Sequence, residues 1–455
     1  MNIPREIFKM YDIRGLVGSQ VNSELSFALG KAFVTLIASE NPGKDLTIAV
    51  GRDMRASSPE FQQALMKGMT EAGADVKDIG LVSTPSFYFG VGDLECDGGM
   101  MVTASHNPEQ DNGFKMTRAK ARPVSGIDGI KELADIIEAD EYIETDKVGS
   151  IEIVDGIPQK FVKESIRFAG EGEVQPLKIV VDPGNGMGAQ YLQDMEDQVD
   201  SIDFVKMYWE LDGSFPNHES NPFKDENNVD IQKRIVEEGA DLGIATDGDG
   251  DRIFFFDETG AIVDPAIIRG LISQIVLRTN PGARIGYDIR PGKITEDMIL
   301  ESGGKPFITK VGHSLIKTDM IANDSPFSGE SSGHFFYKYP TGSYEGPVTV
   351  VVHLLHEMSK KGVSLKELVG PLRKYVHSSE INFDVEDKLA TIERIKQHFS
   401  DGELNELDGI SIKYDDVWFN IRASNTESKL RLNLEAIDQA TMEKRRDEVI
   451  AVIKS

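Results

Sequence analysis

The sequence is short of cysteine, of basic residues and of long apolar runs. Cys96 is the single cysteine among 455 residues, so no internal disulfide can form and no thiolate metal cluster can be built. That usage fits a reducing compartment. No apolar stretch approaches the ~20 residues of a membrane span, and Met1-Asn2-Ile3-Pro4-Arg5-Glu6 lacks the apolar core of a secretory signal. A soluble, cytoplasmic protein is expected. Lys and Arg number 49 against 76 Asp and Glu, a net charge of −27. A surface of that sign repels nucleic acid and anionic lipid, so neither is expected as a partner. An anionic ligand would need a local positive site, which is feasible because acids more than about 8 Å away are largely screened at physiological salt.

What is present is an ordinary globular composition, 40% hydrophobic and 27% charged. The length suits about three domains, within a range of two to four. Apolar residues at helical spacing alternate with short β-rich runs. Leu25, Leu29, Phe33, Leu36 and Ile37 share a helix face that stops at Asn41-Pro42-Gly43, and a strand follows at 46–50. Ser58 and Pro59 read as the N-cap and first position of the next helix. A strand at 98–103 runs straight into a polar loop. The pattern restarts with strands at 178–181, 202–208 and 242–246, and again at 284–287 and 306–309 after a helix at 265–277. From about residue 366 strands cluster late, at 381–385, 410–413, 417–421 and 430–434. In the last, Leu430, Leu432 and Leu434 alternate with polar residues, giving one apolar and one polar face. Three similar α/β units followed by a smaller α+β unit are expected.

Chemistry concentrates in a few loops. Asp247-Gly248-Asp249-Gly250-Asp251-Arg252 follows an apolar strand. Read as extended chain, its alternate residues share a face, so three carboxylates can converge on one hard cation, Mg²⁺ first. A solvated acidic turn is the plain alternative. An EF-hand also competes, since Glu258 falls at the twelfth position, but Arg252 occupies the sixth, where glycine is required. Thr103-Ala104-Ser105-His106-Asn107-Pro108 places a serine at the carboxyl end of a strand, where open α/β sheets bind ligands; a turn built by Ser, Asn and Pro is the structural alternative. Ser105 and His106, as neighbours in extended chain, would point apart and make a poor catalytic pair. Lys115 can return to the same loop.

Gly329-Glu330-Ser331-Ser332-Gly333-His334 matches the G-x-S-x-G of a hydrolase elbow, yet β-like Phe335-Phe336-Tyr337 follows where an elbow needs a helix. Its glutamate, hydroxyls and imidazole better suit a polyhydroxylated ligand. Asp182 to Ala189 approximates a dinucleotide loop, but Pro183 disturbs the turn and tight strand-to-helix packing is the expected use of its glycines. Arg422-Ala423-Ser424-Asn425-Thr426 either wraps a phosphate with a guanidinium and short polar groups or forms a polar hairpin turn. Arg14, in Tyr11-Asp12-Ile13-Arg14-Gly15, and Arg52 each read as a surface arginine or a phosphate ligand. His313 and Lys317 add candidate donors at a strand-to-helix junction, and His218 reads as structural.

Taken in this order, the loops resemble the α-D-phosphohexomutase superfamily, in particular its phosphomannomutase/phosphoglucomutase group, from Tyr11 to Thr426 and so over essentially the full chain. The family's serine-phosphate loop matches 103–108, its metal loop 247–252, its sugar loop 329–334 and its phosphate loop 422–426. The resemblance implies an α/β fold of four domains around a central cleft, divided here at 1–150, 151–253, 254–365 and 366–455, the first three related α/β domains with mixed sheets and the last α+β. It implies a phosphorylated Ser105, with Mg²⁺ held by Asp247, Asp249, Asp251 and a phosphoserine oxygen. The implied reaction interconverts hexose 1-phosphate and hexose 6-phosphate substrates through a hexose 1,6-bisphosphate, which also serves as activator.

By the same resemblance, Arg422, Ser424, Asn425 and Thr426 hold the distal phosphate and Glu330 and Ser332 grip sugar hydroxyls. Tyr11, Arg290 and His334 are further substrate contacts. Lys115 and His313 are the candidates for proton transfer, Arg252 offsets charge on the moving phosphoryl group, and Arg14 assists electrostatically. Three positions depart from the family's usual pattern: Glu345-Gly346 for Asp-Gly, Arg290 for lysine, and Ser428 for proline. Phosphoglucosamine mutase is the runner-up, although those relatives usually carry Ser-Gly-Thr where this chain has Ser424-Asn425-Thr426. Outside the family stand a sugar-phosphate binding protein without turnover and a dinucleotide-dependent oxidoreductase. The expected assembly is a monomer or homodimer.

Overall fold

Periodicity becomes structure along most of the chain in a computed structural model that describes residues 1, 3–423 and 429–455. Asn22 caps the helix Ser23–Glu40 by accepting from the Leu25 N–H at 2.9 Å, and Leu25, Leu29, Phe33, Leu36 and Ile37 are all buried. The next helix, Ser58–Glu71, corrects the expected cap. Its cap position is Ser57, while the Ser58 hydroxyl donates to Asp53 Oδ1 at 2.6 Å. A helix start presents N–H donors, to which a capping hydroxyl must accept; the Ser58 hydroxyl is committed elsewhere, donating to the buried carboxylate and accepting from Asn112 Nδ2 at 3.0 Å.

The chain divides into two units, Met1–Val263 with Ser332–Lys366, and Asp264–Ser331 with Glu367–Ser455. The first holds a six-stranded sheet in the order Ile13–Leu16, Asp111–Arg118, Gly98–Val102, Thr47–Arg52, Asp75–Leu81 and Ile151–Ile153. Its middle strands are parallel, and Asp111–Arg118 runs antiparallel to both neighbours. Gly98–Val102 is buried along its whole length, which explains its unbroken apolar reading. A five-stranded sheet follows in the order Ile262–Val263, Ile253–Asp257, Leu242–Thr246, Leu177–Asp182 and Ile202–Lys206. Behind it, a Cβ on Gly188 would lie 2.0 Å from Thr246 Oγ1, so the Gly-rich stretch before the helix Gly188–Glu196 serves close strand-to-helix packing. The hairpin Phe335–Tyr339 and Gly342–Glu345 and the helix Pro347–Lys361 complete this unit.

In the second unit Arg284–Asp288 pairs in parallel with Lys305–Thr309 and with Phe327–Gly329, accompanied by the helices Pro265–Thr279, Lys293–Glu301 and His313–Ala322. The remainder is an antiparallel sheet in the order Val376–His377, Lys429–Ala436, Val417–Ala423, Ile410–Lys413 and Glu403–Asn405, with the helices Lys388–His398 and Gln439–Lys454. Leu430, Leu432 and Leu434 are fully buried, as their alternation predicts. The opposite face is not solvated, however. Asn433 and Glu435 are buried too, and Glu435 accepts from Trp418 Nε1 at 2.8 Å and from the Lys293 N–H at 2.9 Å. The α/β class with mixed sheets and a terminal α+β part is therefore as expected. No described helix is long and apolar enough to cross a membrane.

Candidate active site

The strand Gly98–Val102 delivers the chain into a turn, not into extended chain. Ser105 has φ +53°, its N–H bonds Thr103 Oγ1 at 2.9 Å, and the Asn107 N–H bonds the Ala104 carbonyl at 3.0 Å. This left-handed residue overturns the expectation that Ser105 and His106 point apart: Ser105 Oγ lies 3.1 Å from His106 Nδ1 and donates to Asp247 Oδ2, also at 3.1 Å. Burial, reinforced by Arg252, Arg14 and Lys115, pushes the His106 pKa well below its usual range, so this ring is neutral. Arg14 reaches the same loop, donating from Nη1 to the Ala104 carbonyl at 3.2 Å and to Asn107 Oδ1 at 3.0 Å, while Asp12 Oδ2 holds its Nη2 at 2.6 Å. Arg14 is thus half-buried and bonded to the serine loop, not a free surface arginine. Tyr11 lies half-buried just ahead of the strand Ile13–Leu16 that carries Arg14. Among the described residues, Arg52 donates to the Asp53 carbonyl beside it.

The three aspartates converge, though by a different route from the one expected. The segment between Leu242–Thr246 and Ile253–Asp257 is a tight turn in which Gly250, at φ +75°, donates to the Asp247 carbonyl at 3.0 Å. Carboxylate oxygens of Asp247, Asp249 and Asp251 all lie within 4.8 Å of one another, and all three residues are buried. Burial, then repulsion from Asp251 and Asp249, raises the Asp247 pKa well above the usual carboxylate range. Lys115, on the strand paired with Gly98–Val102, sets its ammonium 2.6 Å from Asp249 Oδ2 and also against Asp251. Burial alone would discharge this lysine, but the two carboxylates win and raise its pKa well above normal. Even so, Asp249 Oδ1 and Asp251 Oδ1 are buried without a hydrogen-bond donor among the described residues. An all-oxygen set with uncompensated charge and two open acceptors fits a hard divalent cation such as Mg²⁺.

Arg252 Nε donates to His334 Nε2 at 3.1 Å. In the neutral ring the proton then sits on Nδ1, which faces Asp251 Oδ1 at 3.6 Å and Glu345 Oε1 at 3.9 Å. Ser332 is buried in the same unit.

The remaining predicted residues belong to the second unit. Arg290 pairs with Asp288 and places Nη2 3.1 Å from Glu330 Oε1, which also accepts from the Gly312 N–H at 3.0 Å, one residue before His313. Although burial opposes it, Arg290 and Arg269 hold the Asp288 carboxyl down at about 2. Arg422 stands opposite Arg431 across two strands, and both approach Glu380, at 3.7 and 3.5 Å. Burial and repulsion from Arg290 lower the Arg422 pKa, and its Nε has no hydrogen-bond acceptor among the described residues. A buried guanidinium with an open donor beside a second arginine is suited to an anion. Ser424, Asn425 and Thr426 lie outside the described residues. His313 opens the helix His313–Ala322, and Lys317 follows one turn on, fully buried. His218 is structural, held between Asp182 Oδ2 at 3.1 Å and the Glu219 carbonyl at 2.8 Å.

Two residues against these loops escaped the sequence reading. Thr84 grips Asp249 at two points, its N–H to the carbonyl at 2.9 Å and its Oγ1 to Oδ2 at 2.7 Å. Arg55 packs under the serine loop. Each lies far in sequence from the group it touches, and neither sits in a recognisable motif; the Asp53-Met54-Arg55 pairing of charges was the one available signal.

Comparison with known proteins covers the whole molecule. Residues 5–144, 159–260 and 264–375 match the phosphoglucomutase/phosphomannomutase alpha/beta/alpha domains I, II and III, and residues 380–452 match the C-terminal domain of the same family. The chain is 35% identical over 457 residues to a phosphomannomutase of Vibrio cholerae, covering 98% of each. It is 36% identical over 445 residues to a phosphomannomutase of Methanocaldococcus jannaschii, covering 97% of this chain and 96% of that one. Among solved structures, a phosphoglucomutase/phosphomannomutase family protein of Burkholderia thailandensis superposes with a TM-score of 0.89 at 31% identity, over 100% of this chain and 98% of that one.

Proposed function

The chain belongs to the phosphoglucomutase/phosphomannomutase family of isomerases, and from that premise we propose that it interconverts hexose 1-phosphates and hexose 6-phosphates through a phosphoserine at Ser105 and a hexose 1,6-bisphosphate. The observation that carries this reading is Ser105 Oγ within hydrogen-bond reach of Asp247, in a trio of buried carboxylates that includes open oxygens. Asp247, Asp249, Asp251 and an oxygen of phosphorylated Ser105 would hold Mg²⁺, whose charge would offset that of the phosphoryl group. In the transfer the bond from phosphorus to Ser105 Oγ breaks as a bond to a sugar hydroxyl oxygen forms, and the hydroxyl proton must leave.

The chain's own groups divide that work. Lys115, held charged, and Arg14 and Arg252 supply positive charge at the Ser105 loop. His334 is set by Arg252 to present Nδ1–H, and Ser332 lies beside it in sequence, both as contacts to substrate hydroxyls. In the second unit Glu330, bound to Arg290, is the acceptor for sugar hydroxyls. Arg422 with Ser424, Asn425 and Thr426 recognises the phosphate that is not being transferred; of the two candidates for proton transfer Lys115 is already protonated, which leaves His313 to accept the hydroxyl proton. Tyr11 contributes a substrate contact near Arg14.

The test is conversion of mannose 1-phosphate and of glucose 1-phosphate to their 6-phosphates with Mg²⁺ and a trace of glucose 1,6-bisphosphate. Wild type turns over at least one sugar and Ser105→Ala neither. Equal turnover by Ser105→Ala removes the phosphoserine. An inert wild type that accepts glucosamine phosphate moves the assignment to that branch of the superfamily.

A further inference from the structure

Arg55 is an arginine that the reaction does not need for charge, since Lys115, Arg14 and Arg252 already supply it. It is 1% exposed, and its guanidinium has no route to a ligand of its own. All of its terminal N–H groups are spent on one segment. Nη1 donates to the carbonyls of Pro108 at 2.8 Å and Asp111 at 3.0 Å, and Nη2 to those of Ser105 at 2.9 Å and Asn107 at 2.6 Å. Its Nε lies 3.2 Å from Asp53 Oδ2, and the Phe215 ring covers it with the centroid 5.1 Å from the guanidinium carbon. The four terminal N–H bonds orient the fork, with an ion-paired carboxylate behind it and a ring beside it.

A segment with four carbonyls turned inward onto one cation cannot be extended chain. Ser105 accordingly takes the left-handed φ of +53° that few non-glycine residues adopt. We propose that Arg55 is a positioning residue for phosphoryl transfer: its planar fork holds residues 105–111 in the backbone shape that aims Ser105 Oγ at Asp247. The inference rests on Ser105 as the phosphoryl carrier. A lysine keeps the charge but carries three N–H groups on a single nitrogen, so it cannot serve four carbonyls as the spread fork does.

The experiment compares wild type, Arg55→Lys and Ser105→Ala in three measurements: phosphate incorporated at Ser105 from labelled glucose 1,6-bisphosphate, kcat and KM per phosphorylated site, and hydrogen exchange of the backbone by mass spectrometry. Arg55→Lys is expected to lose on the order of 10- to 100-fold in kcat per phosphorylated site, the scale of a 1 Å misplacement. Its KM should stay within about twofold, and exchange should quicken in the peptide spanning 104–111 but not across the rest of the sheet. A variant with wild-type turnover per labelled site and unchanged protection of 104–111 overturns the proposal. So does one that loses protection throughout, because that is a general structural role. If Arg55→Lys does not fold, Phe215→Leu leaves every N–H bond of the fork in place while uncovering it. It should then show a drop of roughly three- to tenfold in the same kcat, with the same local exchange signature; wild-type values there also overturn the proposal. Retained turnover in Ser105→Ala sinks the carrier assignment and this inference together, whereas a dead Ser105→Ala beside a fully active Arg55→Lys sinks this inference alone.

Discussion

The serine loop and the aspartate loop touch because a side chain is missing. A Cβ added at Gly248 would lie 2.4 Å from the Ser105 carbonyl oxygen and 3.5 Å from the Phe215 ring. Carbon and oxygen in contact sit about 3.3 Å apart at closest, so Gly248→Ala must open the two loops by roughly 0.9 Å. Neither side yields easily: Arg55 bonds the same Ser105 carbonyl, and the Gly248 N–H and carbonyl are bonded to the Ser220 carbonyl at 3.1 Å and the Met187 N–H at 2.9 Å. Forced expansion of this kind costs about 1–3 kcal/mol of stability. The same displacement moves Ser105 Oγ against the carboxylates, and misplacement on that scale lowers turnover by about 10²-fold. The assay is mutase turnover alongside denaturant unfolding. Gly370→Ala serves as control, because nothing lies within 4 Å of the Cβ it would add. A Gly248→Ala protein with wild-type kcat and stability would refute the claim that contact between these loops sets the geometry of the serine.

Lys115→Met removes the ammonium buried between Asp249 and Asp251, and leaving two carboxylates uncompensated should cost about 3–5 kcal/mol in the absence of metal. Added Mg²⁺ should recover a larger share in this variant than it adds to wild type, read from unfolding midpoints with and without the ion; equal gains would contradict the arrangement. In the second unit the Asp288 carboxyl is held down at about 2 by Arg290 and Arg269. A folded pKa below the unfolded one stabilises above the unfolded value, and that contribution disappears as pH falls from about 4 towards 2. Roughly 2 kcal/mol of acid-sensitive stability should therefore be present in wild type and missing from the pH dependence of Asp288→Asn. Parallel pH profiles for the two proteins would show that the pair contributes no such term.

Much of the fold was legible because burial imposes a period on sequence. Ser23–Glu40, Leu242–Thr246 and Ile410–Lys413 stand where their apolar spacing puts them. The polar side of Lys429–Ala436 did not read correctly, since alternation shows which residues are polar and not whether water reaches them; Trp418 and the Lys293 N–H occupy that face at Glu435. The candidate site was legible in a similar, partial way. The residue types required for phosphoryl transfer stand in contiguous loops, so Ser105, the three aspartates and Lys115 can be named from the chain alone. The reason first given for convergence did not hold, because the aspartates meet through a turn at Gly250 and not through alternation along extended chain.

By itself, the sequence determined the α/β class and the loops that carry chemistry, since these follow from composition, period and the residue types gathered in each loop. Tertiary structure alone decided what lies against those loops. Thr84 comes to Asp249 across 165 residues of chain, and Arg55 to the Ser105 carbonyl across 50. Neither pairing leaves a local signature, because a hydrogen bond depends on where two atoms meet in space, and a sequence records only their order along the chain.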